Sequence, residues 1–374
     1  MKRIGILKEE GQQKIAVLLP ENIKQLKEIT DVSVVVENGL GDAIGISDSE
    51  YKSAGAIIAL NSKELIQVTD IILSFSRVCD SEHFSEHKTF IGFFDVLNDF
   101  SSVLPLKKKN TDMYSLGLLP RTTMAQSMDV LSSIASLVGY KAVLLASSLS
   151  SSTVPMISGA GGTLRPAKVI ILGAGVAGLQ AIATAKRLGA IVKAFDVRHA
   201  SKSDVTSLGA EFIEVEGAID SASAGGYAVE QSKDYLNEVN KVLDAEMRTA
   251  DIIITTAKIP GKRAPLLIQE ETILNMKSGS IIVDLASETG GNSALTEKGI
   301  TITTKNGVRI VGTTDLLADT AKSASFVIGN NFTSFLKHYL KNHVNEEDEI
   351  LRSTKVLTNG IVTSERLVEE IENY

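Results

Sequence analysis

The stretch Val169–Arg198, VIILGAGVAGLQAIATAKRLGAIVKAFDVR, admits few folds. An apolar β-rich run leads into Gly173, Gly175 and Gly178, spaced G-x-G-x-x-G. A helix-period run follows, and a second β-rich run ends at Asp196, 23 residues after Gly173. Strand, glycine turn, helix and strand in that order make a βαβ unit, which requires a parallel sheet with helices on its faces. The rest of the chain repeats the alternation in two series. RIGIL, VSVVV, DIILSF, TFIGFF and MYSLGLL come first, with helical patterns such as PENIKQLKEI and SKELIQV between them. AKVIIL, AIVKAF, EFIEV, ADIIITTA, SIIVDL, ITITT and VRIVG form the second series.

Two such series in 374 residues predict two domains. The expected class is α/β: two doubly wound Rossmann-like domains with largely parallel sheets and a cleft between them. The first is discontinuous, residues 1–132 plus 318–374, because the helical tail from Ala321 has an apolar face that needs a partner. The second, residues 133–317, carries the glycine turn. SSTVPMISGAGGTLRP reads as a loop and NEEDEILRST as an exposed polar turn.

Composition excludes several classes. A net charge of -7 argues against nucleic acid. Cys79 is the single cysteine, and the five histidines lack metal-ligand spacing, so no metal is expected. The opening MKRIGILKEE has charges where a signal peptide needs an apolar core, which points to a cytoplasmic chain. Val130–Leu149 is long enough to span a membrane. Lys141 near its middle would be costly in lipid, so a buried helix is the expectation.

The glycine turn carries chemistry. Gly173 allows the tight turn, Gly175 lets the backbone approach a pyrophosphate, and Gly178 allows the helix to pack closely on the strand. The helix N-terminus faces the anion. Asp196 accepts from an adenosine ribose hydroxyl and repels a 2′-phosphate, so the cofactor is NAD(H) rather than NADP(H). The expected binding set is Gly173, Ala174, Gly175, Val176, Ala177, Gly178, Asp196, Val197 and Arg198. Thr256, Ala257 and Pro260 follow a strand, at the sheet edge where ligands bind in such folds. Glu288 and Asn292 follow another and are expected to line the same cleft. Gly226 and Tyr227 belong to a long glycine-bearing loop suited to a lid. A second glycine set, Gly39, Gly41 and Gly45, surrounds Asp42, whose charge would repel a pyrophosphate, and it reads as a turn.

GAGVAGLQAIATAKRLGAIVKAFDVR, GGYAVE, TTAKIPGKRAPLLI, GSIIVDLASETGGN and AQSMDVLSS together resemble the NAD(H)-binding component of proton-translocating NAD(P) transhydrogenases, in the alanine dehydrogenase/transhydrogenase family. The resemblance spans nearly the whole chain. It implies hydride transfer from NADH to NADP⁺ held on a partner subunit, coupled to proton translocation. It also implies a homodimer, a membrane-spanning partner and an NADP(H)-binding beta subunit. The chain would then be peripheral on the inner face of the plasma membrane, and its end near Tyr374 would correspond to the split-gene form. By resemblance, Arg121, Gln126, Asp129 and Ser132 form the polar cluster around the nicotinamide, with Arg121 and Asp129 paired. Gln126 has a competing reading as part of a Thr123–Gln126 capping box, and Asp129 as a first-turn residue. The alternatives are an alanine dehydrogenase or a non-catalytic NAD(H)-binding subunit. Where that dehydrogenase's arginine, lysine and histidine would stand, this chain has Lys14, Ser74 and Asp95.

Overall fold

The computed structural model describes residues 1–374 apart from 12–13, 30, 79–86, 108, 216–232, 260, 313–315, 365–366 and 368–374. Along the chain come β1 (Lys2–Ile6), α1 (Pro20–Ile29), β2 (Val32–Glu37), α2 (Asp48–Ser53), β3 (Ile57–Ala59), α3 (Ser62–Val68), β4 (Ile71–Leu73), β5 (Lys88–Gly92) and β6 (Thr111–Ser115). The helix α4 (Val130–Leu149) leads to β7 (Ile157–Gly159), β8 (Gly162–Leu164), β9 (Lys168–Leu172), α5 (Val176–Arg187), β10 (Ile191–Phe195), α6 (Lys202–Ser207) and β11 (Glu211–Phe212). Then follow α7 (Lys233–Met247), β12 (Ile252–Thr255), α8 (Glu270–Leu274), β13 (Ile281–Asp284), β14 (Thr301–Thr303) and β15 (Arg309–Val311). The tail holds α9 (Ala321–Asn342), α10 (Glu349–Thr354), β16 (Lys355–Thr358) and β17 (Ile361–Val362).

The chain divides into two compact units, Met1–Ile134 with Thr320–Tyr374, and Ala135–Asp319. Unit 1 has an eight-stranded sheet in the order β17-β16-β6-β5-β4-β1-β2-β3. Strands β1 to β6 pair in parallel, and β16 and β17 are antiparallel additions at one edge. Unit 2 has a seven-stranded sheet in the order β11-β10-β9-β12-β13-β15-β14, parallel except for the edge strand β14. Both sheets reverse direction of growth beside their first strand, between β1 and β4 in one and between β9 and β12 in the other. Such a reversal splays the loops at the carboxyl ends of those two strands and opens a crevice there. The fold class read from the sequence is therefore the observed one: two α/β domains with mostly parallel, helix-flanked sheets.

The cores follow from the strand sequences. KVIIL, IIIT and IIVD are almost continuously apolar because both sheet faces are covered by helices. Val169, Ile171, Ile252, Ile254, Ile281 and Val283 pack on one face, with Ala181, Ile182 and Ala185 of α5 and Ala142, Val143 and Ala146 of α4. Ile170, Leu172, Ile253 and Ile282 pack on the other, with Val239, Leu243 and Met247 of α7.

Three expectations are corrected. The glycine-rich segment expected to be a loop contains the antiparallel hairpin β7–β8, whose register runs from Ile157↔Leu164 to Gly159↔Gly162. The acidic stretch expected to be an exposed turn ends in α10. Asp348 accepts a hydrogen bond from the Leu351 amide at 2.9 Å and so caps it, and Ile350, Leu351 and Thr354 are buried. The third concerns α4. By length and composition it could cross a membrane, yet it is only partly buried here: Leu131 and Tyr140 are exposed while Ala142, Val143 and Ala146 join the core. Lys141 is paired with Asp319 at 3.2 Å. Gly139 brings α4 so close to α5 that a Cβ there would strike the Ala177 carbonyl.

Candidate functional site

In unit 2 the glycine turn lies at the reversal point, directly after β9. Each glycine is there for a different reason. Gly173 has φ +101°, and a Cβ on it would stand 2.5 Å from the Thr256 hydroxyl oxygen. A Cβ on Gly178 would collide with the Gly173 carbonyl, so the close approach of α5 to β9 depends on its absence. A Cβ on Gly175 would meet nothing within 4 Å. The space above Gly175 is open, beside the helix N-terminus it caps. The first amide to find a carbonyl within α5 is that of Leu179, which donates to Gly175 at 2.8 Å. The amides of Val176, Ala177 and Gly178 precede it and lack intrahelical acceptors. Open space beside a helix start with these donors is the cradle that a pyrophosphate requires.

Asp196 ends the neighbouring strand, β10, and is buried. Its Oδ2 accepts from the Ala174 amide at 2.7 Å, which ties the turn after β9 to the end of β10. Its Oδ1 accepts from the Arg198 amide at 2.8 Å. The Arg198 guanidinium reaches back in a fork, Nε to Oδ1 at 2.9 Å and Nη2 to Oδ2 at 2.8 Å. The hydrogen bond from Arg198 to Asp196 pushes the arginine pKa further up, against the opposing effect of burial. Val197 between them is half-buried, and His199 beyond them is exposed, its ring edge-on to Phe212 at 6.1 Å.

Across the reversal point, Thr256 follows β12 and donates from its hydroxyl to the Gly173 carbonyl at 3.0 Å. Ala257 is held by Asn292, whose Oδ1 accepts from the Ala257 amide at 3.1 Å and whose Nδ2 donates to the Ala257 carbonyl at 2.9 Å. Asn292 is fully buried, so it clamps this loop rather than lining an opening. Asn292 is itself placed by Asp284, at the end of β13. The Asp284 carboxylate is fully buried and accepts from the Asn292 and Ser293 amides, the Ala286 amide, and the hydroxyls of Thr255 and Thr296. Nothing in the sequence pattern singled out Asp284, except a charged residue closing the apolar run IIVD. Glu288 is exposed, 3.9 Å from the Lys258 ammonium. Pro260, Gly226 and Tyr227 lie outside the described residues.

The polar segment of unit 1 is built at the start of α4. Both Asp129 oxygens accept from Ser132, Oδ1 from its amide at 2.9 Å and Oδ2 from its hydroxyl at 2.6 Å. Asp129 therefore caps α4, and the competing role as a cap belongs to it and not to Gln126. Gln126 opens a separate short 3-10 turn, Gln126–Met128, and is exposed, as is Arg121. Asn331 of α9 fixes this segment from far along the chain. It donates to the Ser127 carbonyl at 2.9 Å, across 204 positions, and accepts from the Ser133 hydroxyl at 2.8 Å. No sequence pattern points to Asn331, because its partners are remote.

The reversal point of unit 1 is filled by its own side chain. Glu9, just beyond β1, is buried and accepts from the amides of Phe75, Ser76 and Arg77 and from the Ser76 hydroxyl, at 2.7 to 3.1 Å. Burial raises its pKa despite these four donors. Arg77 in turn pairs with Glu10 at 2.6 Å and Glu37 at 3.1 Å. The place where an anionic ligand would meet the amides of this sheet thus holds a carboxylate already. Gly39 to Gly45 form a turn, as expected, with Asp42 3.8 Å from Lys8. Of the three positions compared with alanine dehydrogenase, Lys14 is exposed, Ser74 is buried with no partner for its hydroxyl among the described residues, and Asp95 is exposed and accepts from Asn98.

Comparison with known proteins places the chain. The family model for the alanine dehydrogenase/PNT N-terminal domain matches residues 5–138, and that for the C-terminal domain matches residues 142–365. The first of the polypeptides that make up NAD(P) transhydrogenase subunit alpha in Rhodospirillum rubrum is 39% identical over 96% of this chain and 97% of its own length. The corresponding polypeptide from Rickettsia prowazekii is 36% identical over 99% of this chain and 98% of its own. Among solved structures, a transhydrogenase from Sinorhizobium meliloti superposes with a TM-score of 0.87 at 35% identity, covering 97% of this chain and 100% of that one. An L-alanine dehydrogenase reaches a TM-score of 0.83 at 18% identity, covering 99% of each chain, which is likeness of fold. The chain belongs to the alanine dehydrogenase/PNT family, on the side of its NAD(P) transhydrogenase alpha subunits.

Proposed function

We propose that the carboxyl edge of the unit 2 sheet seats NAD(H), and that the chain serves a proton-translocating transhydrogenase as its NAD(H)-binding alpha subunit. The observation that carries this is the joined turn at the reversal point: an open cradle over Gly175, with the adjacent buried carboxylate of Asp196 tied to it through the Ala174 amide. The amides of Val176, Ala177 and Gly178 would hold the pyrophosphate, and Asp196 the adenosine ribose. Thr256 and Ala257 border the same edge, with Glu288 beyond them. Arg121, Gln126, Asp129 and Ser132 are assigned to the nicotinamide end, on resemblance to the family. When bound, the nicotinamide supplies or accepts the hydride. This chain's residues have to orient the ring, because direct ring-to-ring transfer moves no proton and needs neither acid nor base.

The fit of residues to reaction separates this reading from alanine dehydrogenase, which must protonate an imine and grip a carboxylate. Lys14, Ser74 and Asp95 offer neither the bidentate arginine nor the lysine and histidine of that enzyme. A homodimer, the NADP(H)-binding and membrane-spanning partners, and a peripheral position on the inner face of the plasma membrane belong to the same reading.

Calorimetry with NADH, NAD⁺ and NADPH tests the nucleotide assignment. The chain is expected to bind the first two and to prefer NADH over NADPH. Asp196→Ala should weaken NADH binding by about tenfold or more, the scale of one or two lost charge-assisted hydrogen bonds, and narrow the preference. Equal affinity of the native chain for NADH and NADPH would remove the basis of the assignment.

A further inference from the structure

A carboxylate offers about four acceptor positions. At Asp196 four N–H groups fill them: the Ala174 and Arg198 amides, and Nε and Nη2 of Arg198. The two amides are fixed by the turns after β9 and β10. Ala174 follows Gly173, whose own amide bonds the Phe195 carbonyl at 2.8 Å, and the Ser201 amide bonds the Arg198 carbonyl at 3.1 Å. The other two donors belong to one side chain that can rotate away. The burial of the pair is also unequal: 7% of the Asp196 side chain is exposed against 29% of Arg198. A ribose diol therefore meets a carboxylate with no vacant acceptor position, behind a guanidinium that has a route to solvent.

We propose that Arg198 is a specificity-determining residue, which covers Asp196 and yields two of its acceptor positions to the adenosine ribose of an incoming dinucleotide. This rests on the nucleotide seat proposed above and adds which group moves and how selectivity responds. A bare buried carboxylate repels a 2′-phosphate strongly. A carboxylate held in a fork by a guanidinium carries little net charge outward, and a guanidinium displaced from it remains tethered two residues along the same turn, where it favours a phosphate. Arg198 thus blunts the discrimination that Asp196 alone would give, and NADH binding has to break the fork first.

The test uses the full chain and its Arg198→Ala and Arg198→Lys variants. NADH affinity is measured by calorimetry, and NADPH by its competition against NADH. Removing Arg198 should tighten NADH about threefold and weaken NADPH about tenfold, the scale of one charge-assisted contact, so selectivity widens. Arg198→Lys keeps the charge without the fork and should bind NADPH more tightly than Arg198→Ala. A thermal melt of each variant separates a binding effect from loss of the fold. Three results would overturn the proposal: NADH and NADPH weakening by the same factor, as a merely structural arginine would give; no change in selectivity; or no competition by NADPH against the native chain at millimolar concentration. If the nucleotide seat itself is wrong, Asp196→Ala leaves NADH affinity unchanged, an outcome none of those three produces.

Discussion

At the scale of single residues, the chain divides labour between side chains that hold the backbone and side chains that face outward. Asp129 is committed to Ser132 and to the cap of α4, while Gln126 is exposed on the turn before it. The two can be told apart by substitution. Gln126→Asn shortens an exposed side chain by one methylene without touching the cap. It should slow hydride transfer on the order of a hundredfold, as a misplacement of about an ångström can, while NADH affinity stays close to native. Single-turnover kinetics, with affinity measured in parallel, reads both quantities. Equal falls in the two would mean that Gln126 contributes uniform binding and no alignment of the rings. The local part of this site was legible in the sequence, because G-x-G-x-x-G, the strand before it and Asp196 after it all lie within one βαβ unit. Asp284, Asn292 and Asn331 were not legible in their roles. Each acts through partners brought to it by the fold, and no spacing rule connects Asn331 to Ser127 and Ser133.

At the scale of elements, buried polar knots decide where the loops at the sheet edges stand. The Asp284 carboxylate gathers three amides and two hydroxyls from the ends of β12 and β13 and the segment after them. Asp284→Ala strands those donors in the interior, each at roughly 1–3 kcal/mol. Partial relaxation would spare some of that, so urea unfolding should show a loss of about 3 kcal/mol or more. A loss below about 1 kcal/mol would mean that water or neighbours replace the carboxylate readily.

The cap of α10 gives a pH test. Asp348 accepts from His338 Nε2 at 2.9 Å as well as from the Leu351 amide. Burial opposes its ionisation, but the His338 hydrogen bond, the Leu351 amide and the charge of His338 outweigh it and hold its pKa below the ordinary value of 3.8. A depressed folded-state pKa contributes stability that is present above the unfolded value and is lost as pH falls through the folded one. Asp348→Asn keeps a good capping residue without the charge. Its melting temperature should lie below native at neutral pH, and the gap should close as the pH drops below about 4. A gap that persists unchanged in acid would assign the effect to something other than the charge. This helix is hidden in the sequence because the acidic run before it looks solvated, while Ile350, Leu351 and Thr354, which are buried, are too few to show a period.

At the scale of the whole molecule, one topology is used twice and to different ends. Both sheets reverse between their first and fourth strands, the place where such folds bind ligands. In unit 2 the loop there is glycine-rich and open above Gly175. In unit 1 the amides of residues 75–77 are taken by Glu9. The alternation of strands and helices made the doubled architecture readable in advance. The edge additions were hidden: β16 and β17 lie in a tail that returns to the first sheet, and β7 and β8 in a stretch dominated by serine and glycine.

The chain is expected to pass a hydride between nucleotides and to perform no amino-acid chemistry. The direct measurement mixes the purified chain, loaded with NADH, with a separately purified NADP(H)-binding transhydrogenase component loaded with NADP⁺, and follows a single turnover by stopped flow. The expected result is rapid reduction of NADP⁺ that requires both proteins, with no NADH oxidation when the chain is given pyruvate and ammonia alone. Appreciable alanine dehydrogenase activity in the isolated chain, or no transfer to NADP⁺ although both nucleotides are bound, would contradict it.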